Sequence, residues 1–118
     1  MSKVTLSVVI PVYNEAKTIG QVLQKLSKES VVSEIVIVDD GSQDGTASIV
    51  KKSKDKKIKY FYKDNGGKGS AVRFGLAKVT GEYVLIQDAD LEYDPEDIGG
   101  LIDPIQKQKA TVVYGLAF

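Results

Sequence analysis

The sequence predicts a single α/β domain built on an open, mainly parallel sheet with helices alternating between its strands. Three observations carry this reading. Five short runs rich in β-branched residues alternate with four stretches of helical character. The runs are almost continuously apolar, as in Ile35-Val36-Ile37-Val38 and Tyr83-Val84-Leu85-Ile86, which suits strands covered on both faces. The chain has 118 residues, of which 42% are hydrophobic, enough for one core and too few for two full domains.

The strands are expected at residues 6–12, 34–39, 58–63, 83–87 and 111–114. Between the first two, Ile19, Val22, Leu23 and Leu26 recur at i, i+3, i+4 and i+7 and make one stripe on a helix that can pack on a sheet. The next helix, from Thr46 to about Ser53, is short and carries Ala47 and Val50. Val72, Gly75, Leu76 and Val79 form a third stripe, and Ile98, Leu101, Ile102 and Ile105 a fourth. Asn14 and Asp44 are expected as N-caps, and Asp94-Pro95 places an acidic cap ahead of a proline in the first turn. This order implies a doubly wound sheet with right-handed crossovers, without repeat or linker.

Composition excludes several chemistries. Cys and His are both absent, which removes disulfides, zinc and haem ligation, thiol nucleophiles and every Ser-His-Asp arrangement. Catalysis would have to use carboxylates, Lys, Tyr, backbone dipoles or a hard metal ion. Sixteen basic and sixteen acidic residues cancel, so neither a nucleic-acid surface nor a polybasic membrane anchor is indicated. The apolar run 8–12 is too short for a signal peptide or a spanning helix, and a soluble, cytoplasmic location is expected. The charges are nevertheless segregated. Residues 51–63 hold seven Lys against one Asp, the pattern of a solvated helix end and loop. Residues 82–103 hold eight carboxylates and no Lys or Arg, a run that suits a bound cation.

In an open parallel sheet, ligands bind beyond the carboxyl ends of the strands, near the point where strand order reverses. The first four strands end in Pro11-Val12-Tyr13-Asn14-Glu15, Asp39-Asp40-Gly41-Ser42, Asp64-Asn65-Gly66-Gly67-Lys68-Gly69 and Asp88-Ala89-Asp90. The glycine cluster fails as a P-loop, because Gly69 follows Gly67-Lys68 and Tyr62 holds the first glycine position. It fails as a dinucleotide fingerprint because Val72 holds the third glycine position and the cluster follows the wrong strand. An EF-hand loop from Asp88 fails at Tyr93 and Gly99. What remains at 66–69 is a generic anion site of backbone N–H groups or, equally, a flexible turn. Asp88 and Asp90 are the sharpest signal. Residues i and i+2 of an extended chain share a face, and two hard oxygen donors there can hold Mg²⁺ or Mn²⁺ against diphosphate oxygens.

PVYNEAKTIG, IVIVDDGSQDGT, NGGKGSAVRFGLAKVTGEYVLIQDADLEYDP and VVYG, in this order and over essentially the whole chain, resemble the inverting family 2 glycosyltransferases. The similarity is strongest to the dolichol-phosphate and polyprenyl-phosphate sugar synthases. It implies the Rossmann-like nucleotide-binding half of a GT-A fold, an NDP-sugar donor of the GDP-mannose or UDP-glucose class, and a hexosyltransferase activity with a polyprenyl phosphate acceptor. By the same resemblance, Pro11, Tyr13 and Glu15 receive the nucleobase, Asp39 accepts from a base N–H and Asp40 orders the adjoining loop. Asp88 serves the ribose or sugar side and the metal, Asp90 is the principal metal ligand, and Glu92, which stands where relatives often carry Gln, is a further metal ligand. Lys68 either contacts the diphosphate or is a solvent-facing turn residue, and Tyr13 has packing under the sheet as its alternative.

Relatives run considerably longer and continue VVYG as Gly-Ser-Arg-Phe, whereas Leu116, Ala117 and Phe118 follow Gly115 here. The expectation is therefore that residues 1–118 form a truncated donor-binding domain, without the acceptor side or a catalytic base. Such a domain would be weakly active alone, prone to self-association through an open edge, and peripheral to a membrane in a full-length protein. The alternatives are a non-catalytic nucleotide-binding module and a haloacid-dehalogenase-like phosphatase with Asp88 as nucleophile.

Overall fold

The computed structural model describes residues 5–87, 89 and 112–113. The elements run β1 (Leu6–Val12), α1 (Ile19–Ser27), β2 (Val32–Asp39), α2 (Thr46–Lys52), β3 (Ile58–Tyr62), α3 (Lys68–Leu76), β4 (Tyr83–Ile86) and β5 (Val112–Val113). The strands form one sheet in the order β3-β2-β1-β4-β5, and each neighbouring pair is parallel. The chain winds outward from β1 through β2 to β3, then crosses back to lay β4 on the other side of β1. That reversal opens a crevice at the carboxyl ends of β1 and β4.

The apolar runs are continuous because each face of the sheet meets helices. Leu6, Val8, Ile10 and Val12 of β1 and Ile35 and Ile37 of β2 pack with the α1 stripe Ile19, Val22, Leu23 and Leu26, and with Val50 of α2. Each fully buried side chain of this kind contributes about 2 kcal/mol. Val9, Val36, Val38, Val84 and Ile86 point to the opposite face, where Ala71 of α3 lies among them. The α3 seam is narrower than the predicted stripe. Ala71 and Gly75 are its buried residues, with Val72 and Leu76 half-buried beside them; Val79 joins the cluster from beyond the helix end. Gly75 is a close-approach glycine, since a Cβ there would stand 2.5 Å from Val9 Cγ1 and 3.1 Å from Val38 Cγ2.

Several boundaries differ from the sequence reading. β2 begins at Val32, two residues earlier than expected, and β3 is a half-buried edge strand with Lys59 and Tyr62 exposed. Asn14 is not a helix cap. It sits at φ 53°, and Thr18 is the N-cap of α1, because residues 15–18 first close a turn on the Glu15 carbonyl. At α2 the cap position belongs to Gly45, and Asp44 acts from one residue earlier by accepting the Thr46 N–H on Oδ1 at 3.1 Å. The fourth helical stripe and the Asp94-Pro95 cap lie outside the described residues. Among the described residues no helix is long and apolar enough to cross a membrane.

Candidate functional site

At the crevice, a cavity of about 240 Å³ is lined by Pro11, Val12, Tyr13, Glu15, Asp40, Lys68, Ala71 and Ala89. Five predicted site residues thus meet in one place: Pro11, Tyr13 and Glu15 from the end of β1, Asp40 after β2, and Lys68 at the start of α3. Tyr13 is 52% exposed, so its place is on the rim and not in packing under the sheet. Asp88, Asp90 and Glu92 lie outside the described residues. Ala89, between the two aspartates, is buried and lines the cavity, and its carbonyl accepts the Thr18 hydroxyl at 2.8 Å. The cap of α1 therefore holds the middle residue of the acidic pair.

The loops after β1 and β2 meet beside Tyr13 and are stapled together. Asn14 N–H donates to Ser42 Oγ at 2.8 Å, and Asn14 Oδ1 accepts from Gln43 N–H at 2.9 Å. Glu15 N–H donates to Thr46 Oγ1 at 3.2 Å and Ala16 N–H to Asp44 Oδ2 at 3.1 Å. The Thr46 hydroxyl and the Ala16 and Thr46 amides hold the Asp44 carboxyl below its ordinary range. The polar run 39–46 is thus a brace for residues 14–16, and Asn14 takes its left-handed backbone to join it.

Asp39 and Asp40 diverge. Asp39 is fully buried on the α1 and α2 side, where Oδ1 accepts Ser42 N–H at 2.8 Å and Oδ2 accepts the Tyr60 hydroxyl at 2.5 Å. Burial and this bond to Asp39 push the Tyr60 hydroxyl well above its ordinary range. Asp39 is not among the residues lining the cavity. Asp40 is, and its Oδ1 accepts Lys63 Nζ at 2.8 Å and Gly66 N–H at 2.9 Å, while Oδ2 accepts Gly67 N–H at 2.9 Å. Burial works to raise the Asp40 pKa, but the Lys63 ammonium and the two amides outweigh it and hold the carboxyl below its ordinary value. The glycine cluster is therefore not an empty anion site at Gly66 and Gly67, because the chain's own carboxylate occupies those amides.

Sequence reasoning missed Lys63, Thr18 and Ala71. Lys63 was absorbed into a block read as solvated, although its side chain is only 17% exposed. An available signal was alternation: Lys59, Phe61 and Lys63 share a face of β3, as Glu34, Val36, Val38 and Asp40 do along β2. Among the described residues no group of three acidic side chains is placed to hold a metal ion.

The profile of Glycosyl transferase family 2 matches residues 7–118. Over 114 residues the chain is 38% identical to a protein of Rickettsia conorii named as an uncharacterized glycosyltransferase, covering 93% of this chain and 19% of that protein. It is similar to the solved mannosyltransferase PcManGT from Pyrobaculum calidifontis in complex with GDP-Man and Mn²⁺, with a TM-score of 0.69, 31% identity, and coverage of 76% of this chain and 28% of that one. It is also similar to glucosyl-3-phosphoglycerate synthase from Mycobacterium tuberculosis in complex with Mn²⁺ and UDP-Glc, with a TM-score of 0.74, 28% identity, and coverage of 86% and 39%. The chain thus spans about a fifth of the Rickettsia relative's length. The phosphatase alternative finds no support in these matches.

Proposed function

This chain belongs to glycosyl transferase family 2 and has the GT-A fold, and from that premise we propose that its cavity receives the nucleoside diphosphate of a sugar donor. The observation that carries the reading is the convergence of Pro11, Tyr13, Glu15, Asp40 and Lys68 on one cavity, with Ala89 of the Asp-Ala-Asp segment in its wall. The half-exposed Tyr13 ring offers a stacking surface for a base. Asp39, buried outside the cavity lining, shapes the adjoining loop through Ser42 and Tyr60 and does not itself offer a face to the base. The Lys68 ammonium brings positive charge to the diphosphate side. Asp88 and Asp90, with Glu92, offer the hard oxygen donors that Mg²⁺ or Mn²⁺ requires, and a bound ion would neutralise charge on the departing diphosphate. The two structural relatives solved with Mn²⁺ and a nucleotide sugar support a divalent ion; which base and sugar this chain takes is for titration to decide.

The finer reading is a hexosyl transfer to a polyprenyl phosphate, carried out by a cytoplasmic protein at the membrane surface. A phosphate acceptor is already anionic and needs no general base, which suits a sequence without His and a cavity whose described carboxylates, Glu15 and Asp40, already accept from Thr18 and from Lys63, Gly66 and Gly67. The test is calorimetric titration of GDP and UDP with Mn²⁺ into wild type, Asp90→Ala and Asp97→Ala. Asp90→Ala is expected to lose the metal dependence of binding, and Asp97→Ala, further along the same acidic run, to keep it. Metal-dependent binding that persists in Asp90→Ala, or NMR shifts confined to lysines 51–63, would sink the assignment.

A further inference from the structure

Asp40 concentrates its contacts on one short stretch of chain. Besides the Lys63, Gly66 and Gly67 bonds to its carboxylate, its carbonyl accepts the Asn65 side-chain amide at 3.0 Å. All four partners fall within residues 63–67, immediately before Lys68 opens α3. Gly67 sits at φ 94°, a conformation that side chains rarely adopt. A Cβ at Gly66 would lie 2.9 Å from Ser70 Oγ and 3.0 Å from Lys63 Nζ. Two adjacent glycines have little conformational preference of their own, so a single conformation of this turn needs an external constraint. The carboxylate supplies it from β2.

The charge balance is equally specific. Asp40 is 4% exposed, yet it lines the cavity, and an uncompensated carboxylate there would repel a diphosphate. Lys63 removes that repulsion at 2.8 Å while its own side chain stays largely buried. Resting on the donor reading above, we propose that Asp40 and Lys63 form an internal clamp that fixes the Gly66-Gly67 turn and thereby positions Lys68 and the first turn of α3 for the donor's diphosphate. Asp40 is in this view a positioning residue that never touches the donor.

The clamp predicts a split between the two parts of a nucleotide. Asp40→Asn puts an NH₂ against one of the two glycine amides and breaks that bond. Lys63→Met leaves all the amide bonds but strands the negative charge. Each variant is expected to weaken GDP or UDP with Mn²⁺ by about tenfold while guanosine or uridine affinity stays within about twofold, and Lys63→Arg to restore most of the loss. Equal losses for nucleoside and nucleoside diphosphate, or none, would overturn the proposal. A second arm needs no ligand: hydrogen exchange at the Gly66 and Gly67 amides. Faster exchange in Asp40→Asn is expected, and unchanged exchange would refute the clamp even if wild type bound no nucleotide and the donor reading failed by itself. Should Asp40→Asn not fold, Lys63→Met carries the ligand arm alone.

Discussion

The two ends of β2 use the same chemistry for opposite purposes. Glu34 near its start and Asp40 just past its end are buried carboxylates on the same face of the sheet, six residues apart. Each pairs with a lysine of β3 or its end, Lys59 at 2.7 Å and Lys63 at 2.8 Å. Each also holds a flank of α3: Glu34 Oε2 accepts the Thr80 N–H and hydroxyl beyond the helix, and Asp40 accepts Gly66 and Gly67 before it. Glu34 additionally accepts the Ser7 hydroxyl at 2.5 Å, whose oxygen in turn accepts Gly81 N–H at 2.9 Å. At that end the network ties β1, β2, β3 and the approach to β4 into a closed knot. At the Asp40 end the carboxylate lines the cavity, and the same bonds hold its wall. A buried acid with its counter-ion is thus a seal where its partners lie on every neighbouring strand, and a scaffold where they lie on one loop.

Removing the seal is the strongest way to break this comparison. Glu34→Ala strands the Thr80 N–H and the Ser7 hydroxyl, while Lys59, 46% exposed, returns to water at little cost. The expected loss is about 3 kcal/mol, or roughly 10 °C in a thermal melt. Asp40→Asn, which keeps the shape, should cost clearly less; a larger melt shift at Asp40 would reverse the assignment of seal and scaffold.

Acid sharpens the same contrast. Burial alone would raise the Glu34 pKa, but the bonds from Lys59, Ser7 and Thr80 bring it down from 4.5 to about 2. A depressed carboxyl contributes stability that is complete above its unfolded pKa and is lost as pH falls through the folded one. Urea unfolding should therefore show about 2 kcal/mol lost between pH 4.5 and pH 2, with Glu34→Gln flattening that slope. Asp40 shifts in the same direction from 3.8 and leaves a residual slope in the variant. An unchanged slope in Glu34→Gln would place the acid sensitivity elsewhere.

Between the two ends, Gly75 seats α3 on Val9 and Val38. Gly75→Ala should cost about 2 kcal/mol through overpacking, read as a lower urea midpoint at constant slope. The smallest effect is expected at Thr18→Val, which keeps volume but loses the bonds to the Ala89 carbonyl and the Glu15 carboxylate. It should cost about 1 kcal/mol of stability and weaken Mn²⁺ binding by about threefold. A stability loss with no change in Mn²⁺ binding would mean that the Thr18 hydroxyl only ties Glu15 and Ala89 together structurally.

Much of the fold was legible because period and burial agree. The stripe Ile19, Val22, Leu23 and Leu26 is fully buried as its spacing requires, and the continuous runs 35–38 and 83–86 lie inside a two-faced sheet. The convergence of Pro11, Tyr13, Glu15, Asp40 and Lys68 was legible for a topological reason, since strand ends of one polarity share an edge. Strand order was not, because nothing local in the sequence says which neighbour a strand will take. The caps were misplaced at Asn14 and Asp44 because a short polar side chain binds any nearby amide: Asn14 accepts from Gln43 of another loop, and Asp44 divides its carboxylate between Ala16 of another loop and Thr46 of the helix it precedes. The partners of Lys59 and Lys63 lie 25 and 23 residues away, so only the matching alternation of β2 and β3 could have paired them, and that requires knowing the two strands are neighbours.

Strand order also shapes the chain's history as it is made. Leu6 pairs with Val32 on one side and with Tyr83 on the other. When β1, β2 and β3 have left the ribosome, β1 has one partner, and its second ladder must wait until Tyr83–Ile86 is synthesised. For that interval the strand that ends as the centre of the sheet is its border, with the unpaired amides and carbonyls of an apolar segment open to other chains. The strand that carries Pro11 toward the cavity is therefore also the segment most exposed to misassembly during birth.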